Sequence, residues 1–233
     1  MTRRIGFEYE GVLLRNGKNI RWSELSEEEQ KCVTESAGST QPYDNYDCLA
    51  ETRTFAQPCK NPHTLLDNLY RNIERTTAAY SKVGIHVAWE EQAIPTKIHQ
   101  SIAGAMQEKK SKHITYTIDK HQGRMIVEPP TERKIIYRGG GLHINVDAMN
   151  ETEAYGLAIR IHEALRRYRN PKMKSWYRTQ LLFRIKPFGV EYVSFGFNLP
   201  DEDTTMKFGD TIHFIRHQFH WAEALLYIIN SLE

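Results

Sequence analysis

The 233-residue sequence predicts an α+β fold in which an antiparallel sheet is the largest element. Two observations carry this prediction. Strand-like segments are followed by a helix, by more strand-like segments and then by helices, whereas parallel-sheet folds alternate strand and helix regularly. In addition, the chain contains neither GxGxxG nor GxxxxGK(S/T), the glycine-rich signatures of parallel-sheet nucleotide-binding folds.

The composition is that of an ordinary globular chain, which we interpret as one domain of residues 1–233. Apolar residues make up 40%, charged residues 26%, and the net charge is +2; this excludes a disordered or fibrous protein and gives no strong nucleic-acid signal. No stretch reaches the roughly 20 apolar residues of a membrane span, and no apolar secretion signal follows Met1. The three cysteines form no CxxC pair. We therefore expect a cytoplasmic location.

Each element is predicted from a local pattern. Alternating apolar residues indicate a strand over residues 4–14, and Ser26 with Glu29 forms the capping box of a short helix. Turn-forming residues precede a second strand at 48–55. Asn61 and Pro62 then open a helix that ends at Gly84. Further strands are predicted at residues 85–89, 114–118, 124–128, 133–137, 142–146 and 191–197. Further helices are predicted at residues 96–110, 150–169 and 171–180, and from Asp210 towards the C-terminus.

The most informative pattern is a set of polar residues within apolar strands, several of them spaced two residues apart. Residues i and i+2 of a strand lie on one face, about 6.8 Å apart. Burying carboxylates in this way is costly unless divalent cations compensate their charge. The alternatives are the solvated face of an amphipathic sheet, a cross-strand ion pair and a hydrogen-bonded core histidine. The residues are Glu8 and Glu10, Glu51 and Arg53, His143 and Asn145, and Glu191.

A second cluster is basic and precedes Glu191. Arg178, Arg184 and Lys186 could hold phosphate oxygens, since a guanidinium binds them through two parallel hydrogen bonds. The alternative is a basic surface turn. His213, His217 and His220 share one face of the last predicted helix, but no HExxH pattern accompanies them. We therefore interpret this histidine stripe as solvated or partner-facing.

Four segments, in this order, resemble those of phage-type COOH–NH2 ligases, the amidoligase branch of the glutamine synthetase and glutamate–cysteine ligase superfamily. They are GFEYE from Gly6, ETR from Glu51, GGLHIN from Gly140 and RIKPFGVEY from Arg184. The resemblance implies a curved antiparallel sheet with helices on its convex side and with ATP and Mg²⁺ on its concave face. It also implies that a small-molecule or peptide carboxylate is phosphorylated by ATP and then attacked by an amine.

The resemblance also implies site roles, position by position. Metal ligands would be Glu8, Glu10, Glu51, His143 and Glu191. Residues that bind the nucleotide would be His143, Asn145, Arg184 and Lys186. Residues that assist catalysis would be Arg53, Arg178 and Arg184. The chain departs from the family at Val193, where an arginine is usual, and at Gly141, where a histidine often stands.

Three other functions stay open at the level of sequence. The first is a phosphotransferase of the same fold, which would need no amine. The second is a catalytically inactive relative that binds a nucleotide or a protein. This hypothesis is based on Val193, which replaces the usual arginine. The third is an unrelated metal-dependent hydrolase. The substrates are not specified, a homo-oligomer is compatible with the sequence, and a phage origin would place the chain in the host cytoplasm.

Overall fold

The structure of the chain is a computed structural model. The described residues are 3–44, 47, 49–89, 115–118, 125–127, 142–167, 182–187, 189–193 and 222–232. They form an α+β fold in which a ten-stranded antiparallel sheet curls into a half-barrel and four helices accompany it. The predicted class and the curved antiparallel sheet are therefore confirmed.

The strands occur at most of the predicted positions. They are β1 Arg4–Arg15, β2 Lys18–Asn19, β3 Leu49–Arg53, β4 Gln57–Pro58, β5 His86–Ala88, β6 Thr115–Ile118, β7 Met125–Val127, β8 Leu142–Asp147, β9 Leu182–Lys186 and β10 Gly189–Val193. β9 is not among the predicted strands, because the basic residues Arg184 and Lys186 favour a ligand-binding cluster or a surface turn when only the sequence is considered. The predicted start of β10 is two residues late.

The described residues form four helices, and the first three begin directly after a capping residue. They are α1 Glu27–Ala37, α2 Pro62–Ser81, α3 Glu151–Arg167 and α4 at residues 222–231. Ser26 and Glu29 form the predicted reciprocal capping box of α1, and Asn61 accepts the His63 N–H at the start of α2. Asn150 accepts the Glu153 N–H at the start of α3. These caps satisfy N–H groups that no helical carbonyl can reach.

β1 is the central strand of the sheet and pairs with five others. Because Glu8 and Tyr9 pair with both β3 and β8, those two strands lie on opposite edges of β1. β4 and β2 extend the β3 edge, and β5 extends the β8 edge. From β8 the sheet continues through β10, β9, β6 and β7. The two strands that flank Glu8 of β1 are thus far apart in the sequence, at Leu49–Arg53 and Leu142–Asp147.

One face of this sheet is apolar and carries the core. Phe7, Tyr9, Ile144 and Tyr192 are at most 1% exposed and belong to one hydrophobic cluster with residues of all four helices. Trp89 stacks on Tyr9 and donates a hydrogen bond to Thr77 Oγ1 of α2, so it joins that helix to the sheet. Burial of this face leaves the alternate residues of the same strands on the other face, called here the polar face.

Several predicted elements lie outside the described residues. These are the helices at 96–110 and 171–180, the strand at 133–137, the start of the last helix at Asp210, and residues 194–197 of the late strand. Among the helices that the described residues form, none is long and apolar enough to cross a membrane.

Candidate functional site

Strand register brings the predicted polar residues of five strands onto the polar face. Directly paired residues of antiparallel strands have side chains on the same face. Glu8 pairs with Arg53 of β3 on one side and with His143 of β8 on the other. Glu10 pairs with Glu51 of β3. On the other side of β8, Asn145 pairs with Glu191 of β10, and Glu191 pairs with Arg184 of β9.

The centre of the polar face is an imidazole between two carboxylates. His143 Nδ1 lies 3.7 Å from Glu8 Oε2 and 3.6 Å from Glu191 Oε1. One ligand atom from each of these three residues lies within 4.8 Å of the others. His143 and Glu191 are buried, whereas the Glu8 side chain is 29% exposed. We call Glu8, His143 and Glu191 the triad; Glu8 is its most solvent-exposed member.

Glu191 is held by cations as well as by His143. Arg184 Nη1 and Lys186 Nζ each lie 3.1 Å from Glu191 Oε2. Burial alone would raise the Glu191 pKa, but the charges of His143, Arg184 and Lys186 outweigh it and lower the pKa to about 2. Glu191 is therefore an ionised carboxylate at any working pH, with two positive side chains beside it.

Glu51 and Arg53 form the second ion pair of the polar face. The Arg53 guanidinium donates through Nε to Glu51 Oε1 and through Nη2 to Glu51 Oε2, the latter at 2.8 Å. Burial raises the Glu51 pKa, and the Arg53 hydrogen bonds only partly counter this. The Arg53 side chain is 41% exposed. Glu51 and Arg53 thus form an ion pair within one strand, between residues i and i+2 of β3, and not between two strands.

Glu10 is a buried carboxyl group of the polar face whose pKa is strongly raised. It is 9% exposed, and its Oε2 has no hydrogen-bond partner among the described residues. Burial raises its pKa to about 8; His143 opposes that shift, and the charges of Asp44 and Glu51 add to it. Asp44 is itself buried and donates from its backbone N–H to Leu49 O. Asp44 is not among the predicted site residues, because the sequence of residues 40–47 indicates only a turn.

His143 carries a positive charge in this environment. Burial lowers its pKa, but the charges of Glu10, Glu8 and Glu191 outweigh burial and raise the pKa to about 9. Below pH 8, where Glu10 is protonated, the ionised Glu8 and Glu191 still favour the imidazolium. For Glu8, burial raises the pKa, but the contact with His143 more than offsets this, so its pKa is lowered.

The triad fits a divalent cation by its donor set and spacing. Ligand atoms about 2.1 Å from one ion stand roughly 3–4.2 Å apart, depending on whether they are adjacent or opposite. The two distances from His143 Nδ1 lie within that range. Carboxylates suit Mg²⁺ and Mn²⁺, and an imidazole is compatible with Mn²⁺ and Zn²⁺. A cation here would replace the His143 proton as the charge that balances Glu8 and Glu191.

Not every predicted site residue is placed. Arg178, Gly141 and the histidine stripe lie outside the described residues. Val193 pairs with His143 in the register, so its position lies on the polar face. Asn145 pairs with Gly6 and Glu191, and its Oδ1 is buried without a hydrogen-bond partner within the described ranges. Lys186 contacts Glu191.

Comparison of the chain with protein-family models, with curated proteins and with solved structures finds no match. The family resemblance therefore rests on the four sequence segments, and the function is inferred from them and from the geometry of the polar face.

Proposed function

We propose that this chain is an ATP- and Mg²⁺-dependent ligase that joins a carboxylate to an amine through an acyl phosphate. One observation carries the proposal: two carboxylates and an imidazole converge on the polar face directly beside Arg184 and Lys186. Such a combination suits phosphoryl transfer, because basic side chains and metal ions bind the phosphate oxygens while carboxylates bind the metal ions. Glu10, Glu51 and Asn145 surround this centre.

The chemistry divides between two steps that the polar face would support. In the first, a carboxylate oxygen of the substrate attacks the γ-phosphorus of ATP, and ADP leaves. In the second, the amine nitrogen attacks the acyl carbon, the carbon–oxygen bond to phosphate breaks, and the amine loses a proton to solvent. Bound Mg²⁺ would supply charge neutralisation for the phosphates.

The residues of this chain would orient the reactants. Arg184 and Lys186 both reach Glu191 Oε2, so an anionic phosphoryl group next to the triad lies within range of two cations. Arg53 lies across β1 from the β8 side of the triad, and its partly exposed guanidinium is available to a second anion such as the substrate carboxylate. The two positive regions thus flank the triad on opposite sides.

The test is product formation from a panel of carboxylates. Purified protein is incubated with ATP, Mg²⁺, each carboxylate and hydroxylamine, and hydroxamate, ADP and phosphate are measured. We expect hydroxamate only when all four components are present. Glu8→Gln should lower its rate by roughly two orders of magnitude, as loss of one electrostatic group in an active site does, while Glu28→Gln on α1 should not. ADP formation without any need for an amine would instead indicate a phosphotransferase.

A second candidate is a binding module without catalytic activity. The observation that favours it is the charge balance of the polar face, where Arg53, His143, Arg184 and Lys186 already accompany four glutamates. A self-compensated ionic face needs no added cation. Nucleotide binding without turnover on any carboxylate would support this second function.

A further inference from the structure

One oxygen of Glu191 is in contact with two cations. Arg184 Nη1 and Lys186 Nζ both lie 3.1 Å from Glu191 Oε2, whereas Glu191 Oε1 lies 3.6 Å from His143 Nδ1. Glu191 is buried, while the side chains of Arg184 and Lys186 are 19% and 16% exposed. The two cations therefore converge on one carboxylate oxygen at the border of the buried centre, where solvent still reaches part of each cation.

Strand register accounts for this arrangement. Arg184 of β9 pairs directly with Glu191 of β10, and Lys186 stands two residues along β9 on the same face. The residue paired with Lys186 is Gly189, which has no side chain to separate Lys186 from Glu191. Arginine and lysine side chains that share one oxygen are also how proteins hold a phosphate. Glu191 Oε2 thus occupies the position that an oxygen of a bound phosphate would take.

A divalent cation at the triad would compete with the two basic side chains for Glu191. The triad includes Glu191 as one of its three ligands. A cation there would neutralise the Glu191 carboxylate and would add positive charge beside Arg184 and Lys186, and like charges at close range repel each other. Both effects weaken the contacts of Arg184 and Lys186 with Glu191 and favour an added anion as their partner.

From this competition we propose that Glu191 is an internal competitor of phosphate, which occupies Arg184 and Lys186 until a divalent cation binds at the triad. The inference rests on the proposed function, because it takes the cation and the phosphate of that site as its ligands. The cation and the phosphate then bind cooperatively, and each increases the affinity for the other by the same factor. A nucleotide without a divalent cation would bind weakly, so unproductive occupation of the site is limited.

Removal of the Glu191 charge tests this competition without any metal ion. Tripolyphosphate is titrated calorimetrically, in chelator, into wild type, Glu191→Gln, Glu8→Gln and Glu191→Gln/Lys186→Gln, each first shown to be folded. Since the coupling between two ligands is typically about 5–150-fold, we expect Glu191→Gln to bind tripolyphosphate about tenfold more tightly than wild type. The added Lys186→Gln substitution should cancel most of this gain.

Glu8→Gln is the matched control, because it removes the same charge from the triad at a greater distance from the two cations. Strands β8 and β10 lie between β1, which bears Glu8, and β9, which bears Arg184 and Lys186. Salt screens charges over such a separation, so Glu8→Gln should change the affinity for tripolyphosphate far less than Glu191→Gln does. An equal gain in both variants would overturn the specific role of Glu191.

Wild type alone provides a second test that needs no substitution. Inorganic phosphate is titrated with Mg²⁺ and with chelator, and the heat of mixing Mg²⁺ with phosphate is subtracted. The affinity should be about tenfold higher with Mg²⁺, and with Mg²⁺ wild type should still bind more tightly than Glu191→Gln, which lacks one ligand of the cation.

The outcomes distinguish this inference from the proposed function. Equal phosphate affinities of wild type with Mg²⁺ and with chelator, or no gain in Glu191→Gln, would overturn the competition, whereas hydroxamate formation would still support the ligase. Conversely, a gain in Glu191→Gln without hydroxamate from any carboxylate would support the competition and count against the ligase.

Discussion

At the scale of single residues, the polar face is defined by carboxyl groups that water does not stabilise. Glu191 keeps its charge because His143, Arg184 and Lys186 surround it. At Glu10, burial together with the charges of Asp44 and Glu51 outweighs the opposing charge of His143 and raises the pKa to about 8. Two glutamates on one face of the sheet thus have pKa values on opposite sides of the usual one, a separation that is typical of functional sites.

These shifts predict how stability depends on pH in the absence of divalent cations. Because its pKa is raised, Glu10 contributes most to the stability of the fold below pH 4.5. This contribution is lost as the pH rises through about 8. The raised pKa of His143 contributes fully below 6.5 and is lost as the pH rises through about 9. Glu191 contributes above 4.5 and loses its contribution only as the pH falls towards 2. The free energy of unfolding should therefore decrease between pH 6.5 and 9.

Urea unfolding in chelator at a series of pH values checks this trend. Glu10→Gln should flatten it and stabilise the protein at pH 8 by roughly 1–2 kcal/mol, because an uncharged amide replaces a carboxyl group that must ionise in the buried site. Glu28→Gln on exposed α1 serves as the control. A free energy that is constant from pH 6.5 to 9 in wild type would contradict the environments assigned to Glu10 and His143.

At the scale of elements, glycines decide whether the strands of the site can pair. Gly189 opens β10 at φ +150°, and a Cβ there would lie 2.0 Å from Val146 O and 2.9 Å from Ala148 N. Both atoms are backbone atoms of the adjacent β8 segment. No side-chain adjustment relieves this contact, so β8 and β10 must separate, two residues before Glu191.

The matched change of two glycines to alanine tests this account of β10. Gly189→Ala should destabilise the protein by about 3 kcal/mol or more, because both φ and the Val146 contact are violated. Gly156→Ala in α3 should stabilise it by about 0.5–1 kcal/mol, since that exposed helical position has open space around a new Cβ. The two free energies come from chemical denaturation. A Gly189→Ala protein as stable as wild type would show that the backbone conformation described for Gly189 at the start of β10 is wrong.

Removal of one helix cap gives an independent prediction. Ser26→Ala abolishes the side-chain acceptor of the Glu29 N–H, whereas the bond from the Ser26 backbone N–H to the Glu29 carboxylate stays available. The expected loss of stability is about 1 kcal/mol by thermal or chemical denaturation. Ser23→Ala is not a control, because the Ser23 N–H donates to Asp47. Ser36→Ala is not one either, because the Ser36 hydroxyl accepts a hydrogen bond from Lys82. Thr40→Ala, outside any cap, is the suitable comparison.

The elements also explain what the sequence could predict. Alternation on β1 and β8 correctly indicates which residues share a face, since one face must be buried. The capping residues Ser26, Asn61 and Asn150 correctly mark the starts of α1, α2 and α3. β9 was missed because Arg184 and Lys186 on alternate positions resemble a basic loop when the partner strand is unknown. Asp44 was missed because its proximity to Glu10 depends on the pairing of residues 42–44 with β3.

At the scale of the whole molecule, the site exists only after distant segments assemble. Glu8, His143 and Glu191 come from three adjacent strands that are far apart in the chain. Motif order suggested that they act together, but their distances depend on the order β1–β8–β10 in the sheet, which local patterns do not encode. The same holds for Arg53, which could have pointed across β1 but instead binds Glu51 in its own strand.

The two faces of the sheet differ in role, because one packs against the helices and the other carries the charged groups of the site. Helices α2 and α3 contact the strands and share in the apolar cluster, while the charged groups of the site lie on the other face. Substitutions on the polar face that remove charge should therefore change ligand binding more than they change the packing of the core. This separation makes variants of Glu8 and Glu191 interpretable.

The proposed function requires that the polar face bind a nucleotide through a divalent cation held by the triad. The most direct measurement is calorimetric titration of a non-hydrolysable ATP analogue, with Mg²⁺ and with chelator, into wild type, Glu8→Gln/Glu191→Gln and the control Glu28→Gln, each first shown to be folded. We predict Mg²⁺-dependent binding to wild type and control, and at least tenfold weaker binding to the double variant. Binding that is unaffected by chelator and by the double substitution, or no binding to wild type, would contradict the claim.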